Sequence, residues 1–143
     1  MKQRVEVADA FLALIDRMHE SGLQMVPAQV AGASPGALRV LNYVRMYPGA
    51  GVLDISGRTG LAKPTVSLIV KDLVARGIFR RDALPDDGRR ACLYLTAVGE
   101  RLYLQIREFR IARASQLLSV LEGEELGTMG YLMEKILDQW RNA

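Results

Sequence analysis

The segment LAKPTVSLIVKDLVARG, residues 61–77, decides the fold. Apolar residues recur along it every three or four positions, at Val66, Ile69, Val70, Leu73 and Val74. This period predicts a helix from Lys63 to Arg76 with one buried face, ended by Gly77 as its C-terminal cap. A shorter and weaker helix, Asp54 to Thr59 with Gly57 inside it, and a tight turn at Gly60-Leu61 come before it. Short helix, turn and capped second helix have the spacing of a helix-turn-helix.

Two strands are predicted directly after this unit, from Ile78 to Leu84 and from Ala91 to Thr96. The sequence Pro85-Asp86-Asp87-Gly88 between them is typical of a turn, and Arg89 and Arg90 follow it at once. We therefore expect a β-hairpin with a basic tip. A helix-turn-helix followed by such a hairpin is a winged helix.

Four further helices are predicted around this centre. They cover Val5–His19, the segment from Ser34-Pro35 to Tyr47, Ala97–Leu121 with Thr96 as N-cap, and Glu124–Trp140. The fold class is mainly α with a small β-hairpin wing, in the order α-α-α-α-β-β-α-α. We expect a winged helix-turn-helix DNA-binding domain at residues 34–96.

The helices from the two chain ends carry more apolar surface than their own domain can cover. A thick helical layer on a compact monomer is one arrangement that would bury it. Pairing across a two-fold axis is the arrangement that we favour, because it also sets two recognition helices about 34–36 Å apart. Residues 1–33 and 97–143 are therefore expected to form a helical dimerisation region.

Composition excludes several classes of protein. The 143 residues include one cysteine and one histidine, so neither a disulfide framework nor a Cys/His zinc site is expected. Cys92 is interpreted as a packing residue and not as a redox sensor. No apolar run approaches the ~20 residues of a membrane span, and the expected location is the cytoplasm. No phosphate-binding glycine loop, nucleophile elbow or nucleophile with a general base is found, so we expect neither an enzyme nor a cofactor.

Charge is unevenly distributed along the chain. Residues 58–96 carry eight Lys/Arg against four Asp/Glu, whereas the segments on either side are close to neutral. A basic block in an otherwise neutral chain indicates a polyanionic partner. The alternative for such a block is an ordinary solvated charged face.

Four pieces of sequence together resemble the MarR family of bacterial transcriptional regulators. They are the residues 61–73, Gly77-Ile-Phe-Arg-Arg81, Asp87-Gly-Arg-Arg90 and Leu95-Thr-Ala-Val-Gly99, and the resemblance is strongest over residues 53–103. It implies a homodimer that reads a pseudo-palindromic operator, most often as a repressor. There are three departures from the family pattern. Arg or another polar residue is common at the position of Leu68, and a Ser or Thr cap is usual at Ala62. Gly57 and Thr59 weaken the first helix of the motif.

The expected DNA contacts lie on the second helix of the motif and on the wing. The helix can enter the major groove, with its contacts at Lys63, Pro64, Thr65, Ser67, Leu68 and Lys71. Arg89 and Arg90 are expected to enter the minor groove, where a narrow and electronegative groove attracts guanidinium groups. Asp87 is expected to stabilise the wing through a charge-assisted contact.

The family resemblance also implies a small effector, often an aromatic or phenolic anion, bound where the dimer helices meet the winged helix. Candidate lining residues are Phe11, Met18, His19, Tyr43 and Arg107. The alternative is that these side chains only pack the hinge. A winged helix that binds protein as a scaffold, without specific DNA binding, is the second functional hypothesis.

Overall fold

The computed structural model describes residues 1–20, 35–84 and 87–142, without the side chains of residues 19, 35, 84 and 87–90. The helices and strands along the chain are α1 (Lys2–Glu20), α2 (Pro35–Met46), α3 (Val52–Thr59), α4 (Lys63–Ala75), β1 (Phe79–Leu84), β2 (Asp87–Leu95), α5 (Ala97–Leu118) and α6 (Gly123–Arg141). This order confirms the predicted winged-helix class. None of the described helices is both long and apolar enough to cross a membrane.

Helix α4 ends as predicted, at a glycine. Gly77 has a φ of 72°, a left-handed conformation that is cheap only for glycine. Its N–H donates to the Val74 carbonyl at 3.0 Å, and the Ile78 N–H donates to the Leu73 carbonyl at 2.9 Å. These two bonds form a Schellman motif, which turns the chain directly from α4 into the first strand.

The hairpin differs from the prediction in where its second strand begins. Strand β2 begins at Asp87 instead of Ala91, so Arg89 and Arg90 belong to the strand and not to the turn. The strands pair antiparallel, and the register shifts between Ala83 and Leu84. Ladder hydrogen bonds use backbone groups only, so charged residues can extend a strand close to the turn. The prediction of a basic turn at this position is therefore wrong in its boundaries.

One hydrophobic core joins the winged-helix elements. It contains Val40, Leu41, Val44, Ala50, Ile55, Val66, Val70, Leu73, Ile78, Phe79, Leu93 and Ile106. The segment before α3 closes this core against the sheet, because Gly49 N–H donates to the Leu93 carbonyl at 2.8 Å and Leu93 N–H to the Ala50 carbonyl at 3.0 Å. Sequence patterning indicated only a helix stop here and missed this isolated bridge.

Helix α5 is anchored to the hairpin through its first turn. Thr96 caps the helix as predicted, accepting a hydrogen bond from Gly99 N–H at 3.1 Å. The Thr96 hydroxyl in turn donates to the carbonyls of Gly77 and Ile78. One side chain therefore ties the end of α4, the first strand and the start of α5 together.

Candidate nucleic-acid interface

The turn between α3 and α4 is fixed by two hydroxyl side chains. Ser56 Oγ donates to the Leu61 carbonyl at 2.7 Å, and Thr59 Oγ1 donates to the Ile55 carbonyl at 2.6 Å. Gly60 has a φ of 72°, which allows its N–H to reach the Ser56 carbonyl. The sequence analysis assigned neither Ser56 nor Thr59 to the turn. Their spacing around Gly60 is the signal that identifies them as turn residues.

Helix α4 divides into a core face and an exposed face. Val66 and Val70 have no accessible surface and Leu73 is buried. The helix residues predicted to contact DNA are all exposed, namely Lys63, Pro64, Thr65, Ser67, Leu68 and Lys71. Ala62 occupies the N-cap without a side-chain hydrogen bond, so the helix start has no side-chain acceptor of its own. This arrangement leaves the exposed face and the N-terminus of α4 accessible to a ligand.

Ion pairs divide the basic residues around α4 into two groups. Arg76 pairs with Asp72 at 3.1 Å, and Arg80 pairs with Asp82 at 3.1 Å. By contrast, four exposed basic residues form no ion pair with any residue that the structure describes, and these are Arg58, Lys63, Lys71 and Arg81. A cation without a protein partner can pair with a phosphate without losing an existing contact.

The wing is stiffened near its base. Arg80 lies over the Tyr94 ring, with 4.9 Å from its guanidinium carbon to the ring centroid, and also pairs with Asp82. Asp87, Arg89 and Arg90 have described backbone in strand β2, and their assignment as DNA contacts and wing support stays a prediction.

A partly open pocket of about 350 Å³ lies between α2 and α5. Its lining consists of Asn42, Tyr103, Ile106, Arg107, Arg110, Ile111 and Ala114. The Nε of Arg110 is buried and has no hydrogen-bond partner among the described residues. The pocket therefore combines apolar walls with two cationic groups, a composition that suits an organic anion.

The five residues that were expected to bind an effector do not all lie at this pocket. Arg107 lines the α2/α5 pocket, whereas the described lining does not include Phe11, Met18 or Tyr43. Phe11 is exposed on α1 and Met18 is half-buried. Tyr43 packs against Tyr47 with 4.8 Å between the ring centroids and a tilt of 41° between the rings. The side chain of His19 lies outside the described residues. Arg110 was missed, although its spacing of three from Arg107 puts both on one helix face.

A polar contact links the end of α2 to the start of α5 beside this pocket. The guanidinium carbon of Arg45 lies 3.9 Å from the centroid of the Tyr103 ring, and Arg45 Nε lies 3.5 Å from Glu100 Oε2. Tyr103 also lines the pocket. A ligand in the pocket would contact the Tyr103 ring, and this ring is in direct contact with Arg45 at the end of α2.

The outer helices carry apolar surface that the single chain does not cover. No described side chain of α1 or α6 is buried. The exposed large apolar residues of these helices include Val5, Phe11, Leu12, Tyr131, Leu132, Ile136, Leu137 and Trp140. Many large apolar side chains exposed on the same helices are typical of a surface that is covered by another molecule. Among the described residues no group of three or more His, Cys, Asp or Glu is arranged to hold a metal ion.

Comparison with protein-family models and curated proteins points to a regulator of transcription. A model described as the IclR helix-turn-helix domain matches residues 37–83. A protein of Thauera aromatica, assigned as a transcriptional regulatory protein for the hcr operon, is 24% identical over 108 residues. That match covers 76% of this chain, and the chain spans 65% of the length of the relative.

Solved structures with the same fold cover nearly the whole chain. Apo MarR from E. coli has a TM-score of 0.72 at 19% identity and covers 87% of this chain and 94% of its own. PcaV from Streptomyces coelicolor, in complex with its natural ligand, has a TM-score of 0.61 at 25% identity over 87% and 89%. A MepR variant from S. aureus, bound to an oligodeoxyribonucleotide, has a TM-score of 0.65 at 21% identity over 94% and 97%.

Proposed function

Because this chain is a MarR-like winged-helix protein of the transcriptional-regulator class, we propose that it binds operator DNA as a homodimer. The observation that carries the proposal is the division of α4 into two faces. Its buried face fixes the helix to the core, while every helix residue predicted to contact DNA is exposed. An α-helix held in this way fits the major groove, and the DNA-bound MepR variant with the same fold supports the assignment.

The proposed contacts have different roles. Lys63 and Lys71 have no ion pair within the described part of the chain and are assigned to phosphates. Thr65 and Ser67 are assigned to base edges, since hydroxyl groups can both donate and accept hydrogen bonds there. Arg89 and Arg90 of the wing are assigned to the minor groove, supported by Asp87.

We assign the dimer contact to the uncovered helices. Residues 1–33 and 97–143 would form the dimerisation region, and residues 34–96 the DNA-binding unit. Burying the apolar faces of α1, α5 and α6 against a second copy supplies the driving force. Two-fold symmetry then presents two copies of α4 to successive major grooves, which accounts for a pseudo-palindromic operator. A repressor role and a cytoplasmic location stay predictions.

Selection of an operator from random duplexes tests this function. The purified chain should enrich an inverted repeat and bind it with an affinity that falls steeply as salt rises. Light scattering of the free protein should give about twice 15.8 kDa. If the protein shifts no duplex at any salt concentration, the chain is a protein-binding scaffold and the proposal is wrong.

Lys71→Ala gives the matched test of a phosphate contact. This variant should bind all duplexes more weakly by a similar factor, and the slope of log K against log salt should decrease by about 0.9 for each Lys71 removed. Lys2→Ala, the same change at the start of α1, should alter neither quantity. A loss confined to the operator would assign Lys71 to a base and contradict the phosphate assignment.

The pocket between α2 and α5 is the proposed effector site. Its apolar walls and the groups of Arg107 and Arg110 fit a small aromatic or phenolic anion. The ligand-bound PcaV structure, which shares the fold, supports a ligand in such a protein. An effector can release DNA only if it binds the DNA-free form more tightly, and DNA must then weaken effector binding to the same extent.

Titration of salicylate and related aromatic acids into the protein-operator complex tests the effector proposal. We expect release of DNA at or below millimolar ligand and a rise in the melting temperature of the free protein. Arg110→Met should abolish both effects, whereas Arg101→Met, on the exposed side of α5, should preserve them. If no aromatic acid produces either effect, the pocket does not serve this class of ligand.

A further inference from the structure

Leu68 occupies the outermost position of α4. It follows Val66 by two residues and precedes Val70 by two, and both valines have no accessible surface. Each residue of an α-helix advances by about 100°, so Leu68 points almost directly away from the core. Its side chain is 70% exposed, more than any other large apolar residue of α4.

Leu68 is the large apolar side chain that α4 exposes. Its neighbours three and four positions away on the same face are Pro64, Thr65, Lys71 and Asp72, and all four are exposed. Thr65 and Lys71 lie about 60° to either side of Leu68, while Asp72 pairs with Arg76. The residue of α4 that projects furthest from the core is therefore apolar, with polar groups beside it.

Base pairs offer one apolar group in the major groove, the C5-methyl of thymine. We propose that Leu68 is a specificity-determining residue that packs on the methyl group of a thymine in each operator half-site. This inference rests on the proposed DNA-binding function. Lys71 lies one turn after Leu68 on the exposed face, and Lys63 is exposed in the first turn of α4, so positive charge that can pair with the DNA backbone lies near Leu68.

Deoxyuridine substitution provides the test, because uracil lacks only the C5-methyl group. After an operator has been selected with the purified 143-residue chain, each thymine is replaced in turn by deoxyuridine at symmetric positions, and affinity is measured by fluorescence anisotropy. At one thymine position, deoxyuridine substitution should lower the affinity roughly 4-fold when one half-site is changed and roughly 15-fold when both are changed. Leu68→Ala should bind the thymine and uracil duplexes equally, while Leu68→Met should keep most of the discrimination.

Lys71→Ala is the control that separates specificity from affinity. It should weaken binding to both duplexes and leave the ratio between thymine and uracil unchanged. If the selected half-sites contain no constant thymine, or if no uracil substitution changes the affinity, the assignment of Leu68 is wrong although the protein still binds DNA. If no duplex is bound at all, the proposed function fails and the assignment of Leu68 fails with it.

Discussion

Gly99→Ala should destabilise the junction between the wing and α5. Gly99 is buried in the first turn of α5, and a Cβ built there would lie closer than 3.0 Å to the Ile78 carbonyl oxygen and 3.2 Å from Leu95 Cγ. The Ile78 carbonyl cannot move away freely, because it accepts a hydrogen bond from Thr96 N–H at 3.1 Å. The junction must therefore open by roughly 1 Å to reach an ordinary contact between carbon and oxygen.

The size of the effect follows from two opposing terms. Forcing an extra methyl group against backbone costs about 3 kcal/mol, the upper end of the usual range for overpacking. Replacing glycine by alanine inside a helix returns up to ~1 kcal/mol. The net loss of about 2 kcal/mol should lower the melting temperature by roughly 4–8 °C.

Thermal unfolding followed by circular dichroism, at one fixed protein concentration, measures this change. Gly57→Ala is the matched control, because a Cβ at Gly57 meets no atom within 4 Å and its φ is not positive. This variant should be more stable than the parent by about 0.5–1 kcal/mol. The reasoning is refuted if Gly99→Ala is as stable as the parent protein.

Two further predictions concern contacts around the same junction. Thr96→Ala removes the N-cap of α5 together with the hydrogen bonds to Gly77 and Ile78, and should lower the free energy of unfolding in urea by about 1–2 kcal/mol. Thr96→Ser keeps the hydroxyl and should lower it much less. Equal losses in the two variants would show that the hydroxyl is not responsible. A double-mutant cycle of Arg45→Met and Tyr103→Leu should give a coupling energy of about 0.5–1 kcal/mol, and strictly additive effects would mean that the stacked pair contributes nothing.

Local chemistry made much of the fold predictable. The helix period of α4, the glycine after it and the capping threonine before α5 are all signals within a few neighbouring residues. The structure confirms each of them: Gly77 adopts the left-handed conformation and Thr96 accepts from Gly99 N–H. Patterns of this kind depend only on backbone geometry and on hydrogen bonds close in sequence.

Contacts between distant residues were not predictable in the same way. The bridge between Ala50 and Leu93 and the stacking of Arg45 on Tyr103 join segments far apart in the chain, and no local pattern encodes them. The cavity that contains Arg110 forms only when α2 and α5 pack together. The sequence already marked Leu68 as an apolar departure among the predicted DNA contacts, and the structure adds that Leu68 is highly exposed and points away from the core.

Changing the spacing of the operator half-sites tests the central claim most directly. Inserting five base pairs between the half-sites turns one of them by about half a helical turn, away from the face that a two-fold dimer contacts. We predict that affinity for this duplex falls by roughly 10³-fold or more, to the level of non-specific DNA. An affinity unchanged by the insertion would contradict a dimer that sets two copies of α4 in successive major grooves.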